Sequence, residues 1–206
     1  MKKQTLFRIG LATLLASATQ AYSQEQLAKS IQEARGETAR TSEQLKATLS
    51  ALTALTQKTQ GDLRPAYDAF ASEVTNTVSA AVTTAARVQW MDGEGQQYFK
   101  DWQNTITSIA KESLRKKSQK RLESVRADFE EVKKELKDAS AKFKPFLSDL
   151  SDIQKTMASD VTAAGVKSVR STAKSANSNH RSVDRAINSA LKEMDKMEKA
   201  LSPEAK

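Results

Sequence analysis

The sequence predicts an all-α chain, an elongated antiparallel helical bundle or coiled coil of about four long helices. Three observations lead there. Apolar residues recur at alternating steps of three and four, as in Leu122, Val125, Phe129, Val132, Leu136, Ala139 and Phe143, the spacing that keeps one stripe of a helix apolar. The composition is 28% charged but only 5% aromatic, which is the profile of long helices with aliphatic seams. Glycine and proline, six and three among 206 residues, leave long stretches without a helix breaker.

The first residues stand apart from this pattern. Lys2, Lys3 and Arg8 make a basic start, Ile9 to Ala18 an apolar run, and Ala21, Tyr22 and Ser23 a small-x-small end. This is the layout of a secretory signal peptide over residues 1–23, with cleavage after Ala21 or Ser23. The apolar run of ten residues is short of the roughly twenty that span a bilayer. No cysteine follows it, so attachment of a lipid through cysteine is excluded. The expected location is periplasmic, not lipid-anchored, with no transmembrane helix in the mature chain. Without cysteine the oxidising compartment adds no disulfide, and stability must come from packing or oligomerisation. Formal net charge falls from +8 to +5 on loss of Lys2, Lys3 and Arg8, since the segment contains no acid. A mildly basic exported protein favours acidic surfaces, and nucleic acid is not an expected partner.

Residues 24–206 read as a single elongated helical domain. A first helix is expected over about 24–59, with Leu27, Ile31, Ala34, Thr38, Leu45, Leu49 and Leu52 on one stripe. Its middle, with Gly36, Thr38, Thr41 and Ser42, holds weak helix formers and depends on neighbours. Gln60, Gly61 and Asp62 form a stop, and Pro65 suits the first turn of a second helix over about 64–91. That helix carries Tyr67, Phe70, Val74, Val78, Ala81, Ala85 and Val88 at helical spacing. Asp92, Gly93, Glu94 and Gly95 are then expected to turn the chain.

A third helix over about 96–157 opens on Tyr98, Phe99 and Trp102, which with Trp90 are placed to pack across the hairpin. At 1.5 Å per residue it would be on the order of 90 Å long. Pro145 removes a hydrogen bond inside it and should kink it. Ser159, Asp160, Val161 and Thr162 offer caps for a last helix over about 162–201. There Val166, Val169, Ala173, Ala176, His180, Val183, Ile187, Ala190, Met194, Met197 and Leu201 follow at strictly alternating steps of three and four. The first two helices are expected beside the early part of the third and the last helix beside its later part, the two regions meeting around Leu114 to Leu122.

The residues that could carry chemistry are few. Lys111 to Arg126 holds seven basic residues and two acids. Within it Arg115, Lys116, Lys117, Lys120 and Arg121 form a candidate patch for anionic headgroups or an acidic partner, set against a solvated helix face. His180 is the one histidine; with no cysteine or converging carboxylates it makes no zinc site and reads as a polar seam residue that fixes register. The acids from Asp128 to Asp152 are interleaved with lysines, as on exposed helix faces. There is no glycine-rich phosphate loop, no nucleophile turn and no helical histidine pair. No catalytic residue, cofactor or metal is expected.

Asp101-Trp102-Gln103, Leu114-Arg115, Ser118, Leu122, Arg126, Phe129, Val132, Phe143, Pro145-Phe146-Leu147, Asp149, Leu150 and Asp160-Val161-Thr162 together resemble a bacterial family catalogued as domain of unknown function 2959. The likeness covers roughly Ala66 to Leu201. It implies an exported helical protein and transfers no catalytic residue. The chain departs from the family pattern in lacking a lipid-attachment cysteine near its start and an Asn-rich step near Asp160 to Ala163.

The function expected is therefore non-enzymatic: an exported helical protein that acts by self-association or by binding another envelope component. One alternative is a Skp-like periplasmic chaperone cradling outer-membrane clients. Another is a membrane-surface protein using the basic patch.

Overall fold

Four heptad seams account for the four helices. In a computed structural model, which describes the backbone of residues 3–58 and 60–202 and the side chains from Ala21 onward, the chain forms α1 (Lys3–Gln57), α2 (Arg64–Ser108), α3 (Glu112–Ser159) and α4 (Ala163–Leu201). No strand occurs among the described residues. The side chains of residues 1–20, on which the basic start and apolar run of the signal segment rest, lie outside the described residues, as do Thr59 and Pro203.

On α1 the buried stripe is Leu27, Ile31, Ala34, Thr38, Thr41, Leu45, Thr48, Leu52 and Leu55. On α3 it runs from Leu122 through Val132, Ala139 and Phe146 to Met157, and on α4 from Val166 to Leu201. In each case the steps alternate between three and four, which turns one face inward over the residues named. Phe143 and His180 hold seam positions at which burial is partial.

The chain divides into two compact units. Unit 1 holds the described residues of Met1–Ala34, Arg87–Lys133 and Glu193–Lys206; unit 2 holds Arg35–Ala86 and Lys134–Lys192. Every helix contributes to both units. The expected partition, with α1 and α2 serving one part of the third helix and α4 the other, is therefore replaced, and on α3 the division falls between Lys133 and Lys134.

Within each unit, contacts between successive helices keep a nearly constant sum of residue numbers, the mark of antiparallel neighbours. In unit 2, Thr48 meets Thr77 and Thr41 meets Thr84, while Asp149 accepts hydrogen bonds from Ser175 and Asn179. In unit 1, Trp102 meets Ser118, Lys133 meets Asp92, and Lys196 meets Asp128. The core of unit 2 includes Leu52, Phe70, Phe146, Leu150, Ile153 and Val183. At roughly 25 cal/mol per Å² of apolar area removed from water, seams of this kind are the main stabilising contribution.

The helix boundaries correct two expectations. Asp92 to Gly95 is not a turn: α2 runs through it without interruption to Ser108. Gly95 sits on the seam between Met91 and Tyr98, and a methyl group there would lie 2.3 Å from Cζ of Phe129. That glycine makes room for a neighbouring ring rather than for a bend. The chain reverses instead over residues 109–111, where Ile109 N–H donates to the Ile106 carbonyl at 3.1 Å and the Lys111 carbonyl accepts from Leu114 and Arg115 at 3.0 Å each. The helix expected over 96–157 thus belongs to two antiparallel helices. Pro145 lies inside α3, which stays helical on both sides of it.

Turns with recognisable chemistry fall where the residues indicate. Gly61 takes a positive φ of 77° before α2, a conformation open to glycine, and Asp62 Oδ1 accepts from Arg64 N–H at 2.9 Å. Thr162 caps α4, its Oγ1 accepting from Gly165 N–H at 3.3 Å and donating to Asp160 Oδ1 at 2.6 Å.

Candidate functional site

The basic residues singled out in the sequence open α3, directly after the turn that joins it to α2. Arg115, Lys116, Lys117, Lys120 and Arg121 are all exposed. They are not equivalent. Lys116 pairs with Glu112 at 2.8 Å, and Arg121 donates from Nη2 to the Ala200 carbonyl at 2.6 Å, completing the C-terminal end of α4. Among the described residues no acid pairs with Lys111, Arg115, Lys117 or Lys120.

Their exposure follows from the seam. Counting back from Leu122, the inward positions of α3 are Ser118 and Arg115, and the same spacing reaches Lys111 in the turn before it; these residues cannot build an apolar core. Arg121 already lies beside the last turn of α4, so no described residue of α4 extends along α3 before it. The first turns of α3 rest on α2: Trp102 Nε1 donates to Ser118 Oγ at 3.0 Å, and Gln103 Nε2 donates to Gln119 Oε1 at 3.4 Å. Leu114 is left 52% exposed.

The aromatic cluster holds this hairpin together, though between α2 and α3 rather than across residues 92–95. Tyr98 packs on Phe99 and Trp102 at 5.3 and 5.5 Å between centroids. Phe99 meets Phe129 edge-on at 5.6 Å, and the Arg126 guanidinium lies 5.2 Å from the Phe99 ring. Trp90 is not in the cluster. It is 52% exposed and donates to Glu94 Oε1 at 2.7 Å.

Deeper in unit 1, Lys133 reaches Asp92 at 2.9 Å. The Asp92 carboxylate beside it raises the lysine pKa above its usual value, against the opposing effect of burial. The Asp128 carboxylate likewise raises the pKa of Lys196, which it meets at 2.8 Å. These pairs tie helices together and leave both lysines charged at neutral pH.

Unit 2 carries a polar seam between α1 and α2 that the sequence did not disclose as such. Thr48 and Thr77 share a hydrogen bond of 2.7 Å between buried hydroxyls, and Thr41 and Thr84 one of 2.9 Å. Gln44 Nε2 donates to Glu73 Oε2 at 2.6 Å. Of the weak helix formers in the middle of α1, Thr38 and Thr41 are thus seam residues, and Thr41 bonds to α2. The sequence signal was present: on α2, Phe70, Val74, Thr77, Ala81, Thr84, Val88 and Met91 keep the alternating steps. The stripe chosen from apolar residues alone placed Val78 inside, where in fact it is 40% exposed.

His180 stands in the α4 seam with its ring 5.9 Å from that of Phe146. Its Nε2 is buried with no hydrogen-bond partner among the described residues. Burial lowers its pKa; Asp184 opposes that shift and Lys46 adds to it. No group of three or more histidine, cysteine or acidic residues able to hold a metal ion occurs among the described residues. An open groove of about 520 Å³ is lined by Ala39, Arg40, Glu43, Gln44 and Ala47, all from α1. One helix cannot enclose a substrate, and Arg40 and Gln44 are engaged by Glu37 and Glu73. Among the described residues, no helix is long and apolar enough to cross a membrane.

Residues 19–201 match the model of a family described as "Protein of unknown function (DUF2959)". The chain belongs to the DUF2959 family. The match takes in α1 from residue 19 onward and the whole of α2, α3 and α4, beyond the stretch around Trp102, Pro145 and the Asp160 turn that carries the resemblance. No curated protein and no solved structure matches the chain. For this DUF2959 member, function must therefore be argued from its own surfaces.

Proposed function

We propose that the protein is a non-enzymatic, exported helical protein that works in the periplasm by association, through an outward stripe of α2 that meets a second copy of the chain or another envelope component. The observation that carries this reading is the stripe itself. From Val74 to Ala86 α2 contains no charged residue, and within unit 2 it exposes Val78 at 40% and Val82 at 65%, with Ala85 and Ala86 exposed beside them. A solvated helix face ordinarily carries Lys and Glu. Thirteen uncharged residues with two open valines suit packing against another helix instead. The layout of residues 1–23 supports export, and the family match begins at residue 19, beyond the apolar run.

The decisive experiment measures the mass of the protein recovered from the periplasm and crosslinks it in place through a photoreactive residue at position 82. The expected result is a dimer or higher assembly, or one reproducible partner, lost in Val82→Glu. A strict monomer with no specific crosslink would overturn the proposal. Sequencing the N-terminus of the same material tests export and is expected to begin at Tyr22 or Gln24.

A further inference from the structure

The α2–α3 hairpin end of unit 1 offers a second surface, separate from the α2 stripe. From Lys111 to Arg121 there are six basic residues against Glu112 alone. Successive residues step by about 100° around a helix, so Arg115, Lys116 and Lys117 point to three different sides of α3. The basic residues therefore fan over more than one exposed side of a helix end whose remaining side rests on α2, and Leu114 lies exposed among them. A folded acidic partner presents a rigid face that reaches one side of such an end, and an acidic peptide needs a groove. A fluid headgroup layer can mould to it, with phosphates on each exposed side and the interfacial zone receiving an apolar side chain.

We propose that this hairpin end docks on an anionic lipid bilayer surface, with Leu114 entering the headgroup layer and Lys111, Arg115, Lys116, Lys117 and Lys120 binding the surrounding phosphates. The contact is peripheral and reversible, since one leucine and a few charges fall far below what inserts a helix. Arg121 stays on the Ala200 carbonyl and contributes little. The proposal does not depend on the association reading, because Val82 and Lys116 belong to different units.

The test is cosedimentation of the protein recovered from cells with vesicles of phosphatidylcholine alone, or of phosphatidylcholine with about a quarter phosphatidylglycerol, at low and high salt. Pelleting is expected only with phosphatidylglycerol, and salt should weaken it. The variant K116E/K117E/K120E should lower partitioning by about a hundred-fold or more, at roughly five-fold per charge removed. Leu114→Ala should lower it a few-fold. The neutralising variant K116Q/K117Q/K120Q, with its helix content checked, guards against a folding defect. Equal pelleting on neutral vesicles, or a charge-reversed protein that pellets like the parent, would overturn the proposal. So would a parent that does not pellet but loses a periplasmic protein crosslink in the triple variant, which would assign the patch to an acidic protein. Val82→Glu should leave vesicle binding unchanged, so failure of one proposal is distinguishable from failure of the other.

Discussion

Two glycines two residues apart should respond oppositely to alanine. Gly93 and Gly95 both lie inside α2, but a methyl group at Gly93 meets nothing within 4 Å, whereas one at Gly95 would lie 2.3 Å from Cζ and 2.5 Å from Cε1 of Phe129. Alanine exceeds glycine in helix propensity by about 1 kcal/mol, so Gly93→Ala should stabilise the protein by roughly that amount. Gly95→Ala gains the same propensity but must displace the Phe129 ring. That ring is 1% exposed and fixed by Phe99 at 5.6 Å and by the Lys133 ammonium at 5.9 Å. Forcing extra volume into a packed core costs about 1–3 kcal/mol, which offsets the propensity gain and leaves Gly95→Ala destabilising by up to about 2 kcal/mol. Phe129→Leu leaves a cavity of its own but frees the space, so the double variant should be less destabilised than the sum of the singles. Urea denaturation followed by circular dichroism measures the parent and all four variants. If residues 92–95 were a turn with glycine-specific backbone, both alanines would destabilise. If α2 did not pack Gly95 on Phe129, both would stabilise. Either pattern refutes the argument.

Further outcomes follow from the seams. Thr77→Val should cost about 1 kcal/mol by leaving the buried Thr48 hydroxyl short of one partner, and T48V/T77V should cost less than the two singles together, measured by the same denaturation. His180 has its pKa lowered by burial, so the unfolded chain binds a proton first as pH falls through about 6.5. Stability is then full at neutral pH and declines below it, and His180→Leu should flatten thermal stability measured between about pH 7 and pH 5. Thr162→Ala removes the cap on Gly165 N–H and should lower stability by about 1 kcal/mol, fraying the start of α4 in hydrogen exchange.

Much of this fold is written in the order of the residues. The α3 stripe from Leu122 to Ala139 and the α4 stripe from Val166 to Leu201 are buried where their spacing puts them, apart from the half-buried His180. The turn before Arg64 and the cap at Thr162 use local chemistry that any reader of the sequence can recognise, since the groups involved are two or three residues apart. The reversal at residues 109–111 escapes because it contains neither glycine nor proline. What marks it is subtler: Thr107 and Ser108 donate to the carbonyls of Asn104 and Thr105, an alternative to continued helix, and the apolar register lapses between Ile106 and Leu122. Thr77 and Thr84 escape for a different reason. A hydroxyl counts as polar until its partner is known, and Thr48 and Thr41 are far away in the chain.

That the chain is helical, which face of α3 and α4 turns inward, and where the positive charge gathers can all be read from the residues in order. These follow from periodicity and composition, which are properties of each segment alone. Packing between helices settles that Gly95 is a notch for a ring rather than part of a turn, that threonines belong in the α1–α2 seam, and that no described residue of α4 reaches the basic run of α3 before Arg121. Each of these depends on which atom of a distant residue occupies the adjoining space. A ring at Phe129, a hydroxyl at Thr48 and the end of α4 at Leu201 are the facts that spacing along one helix cannot contain.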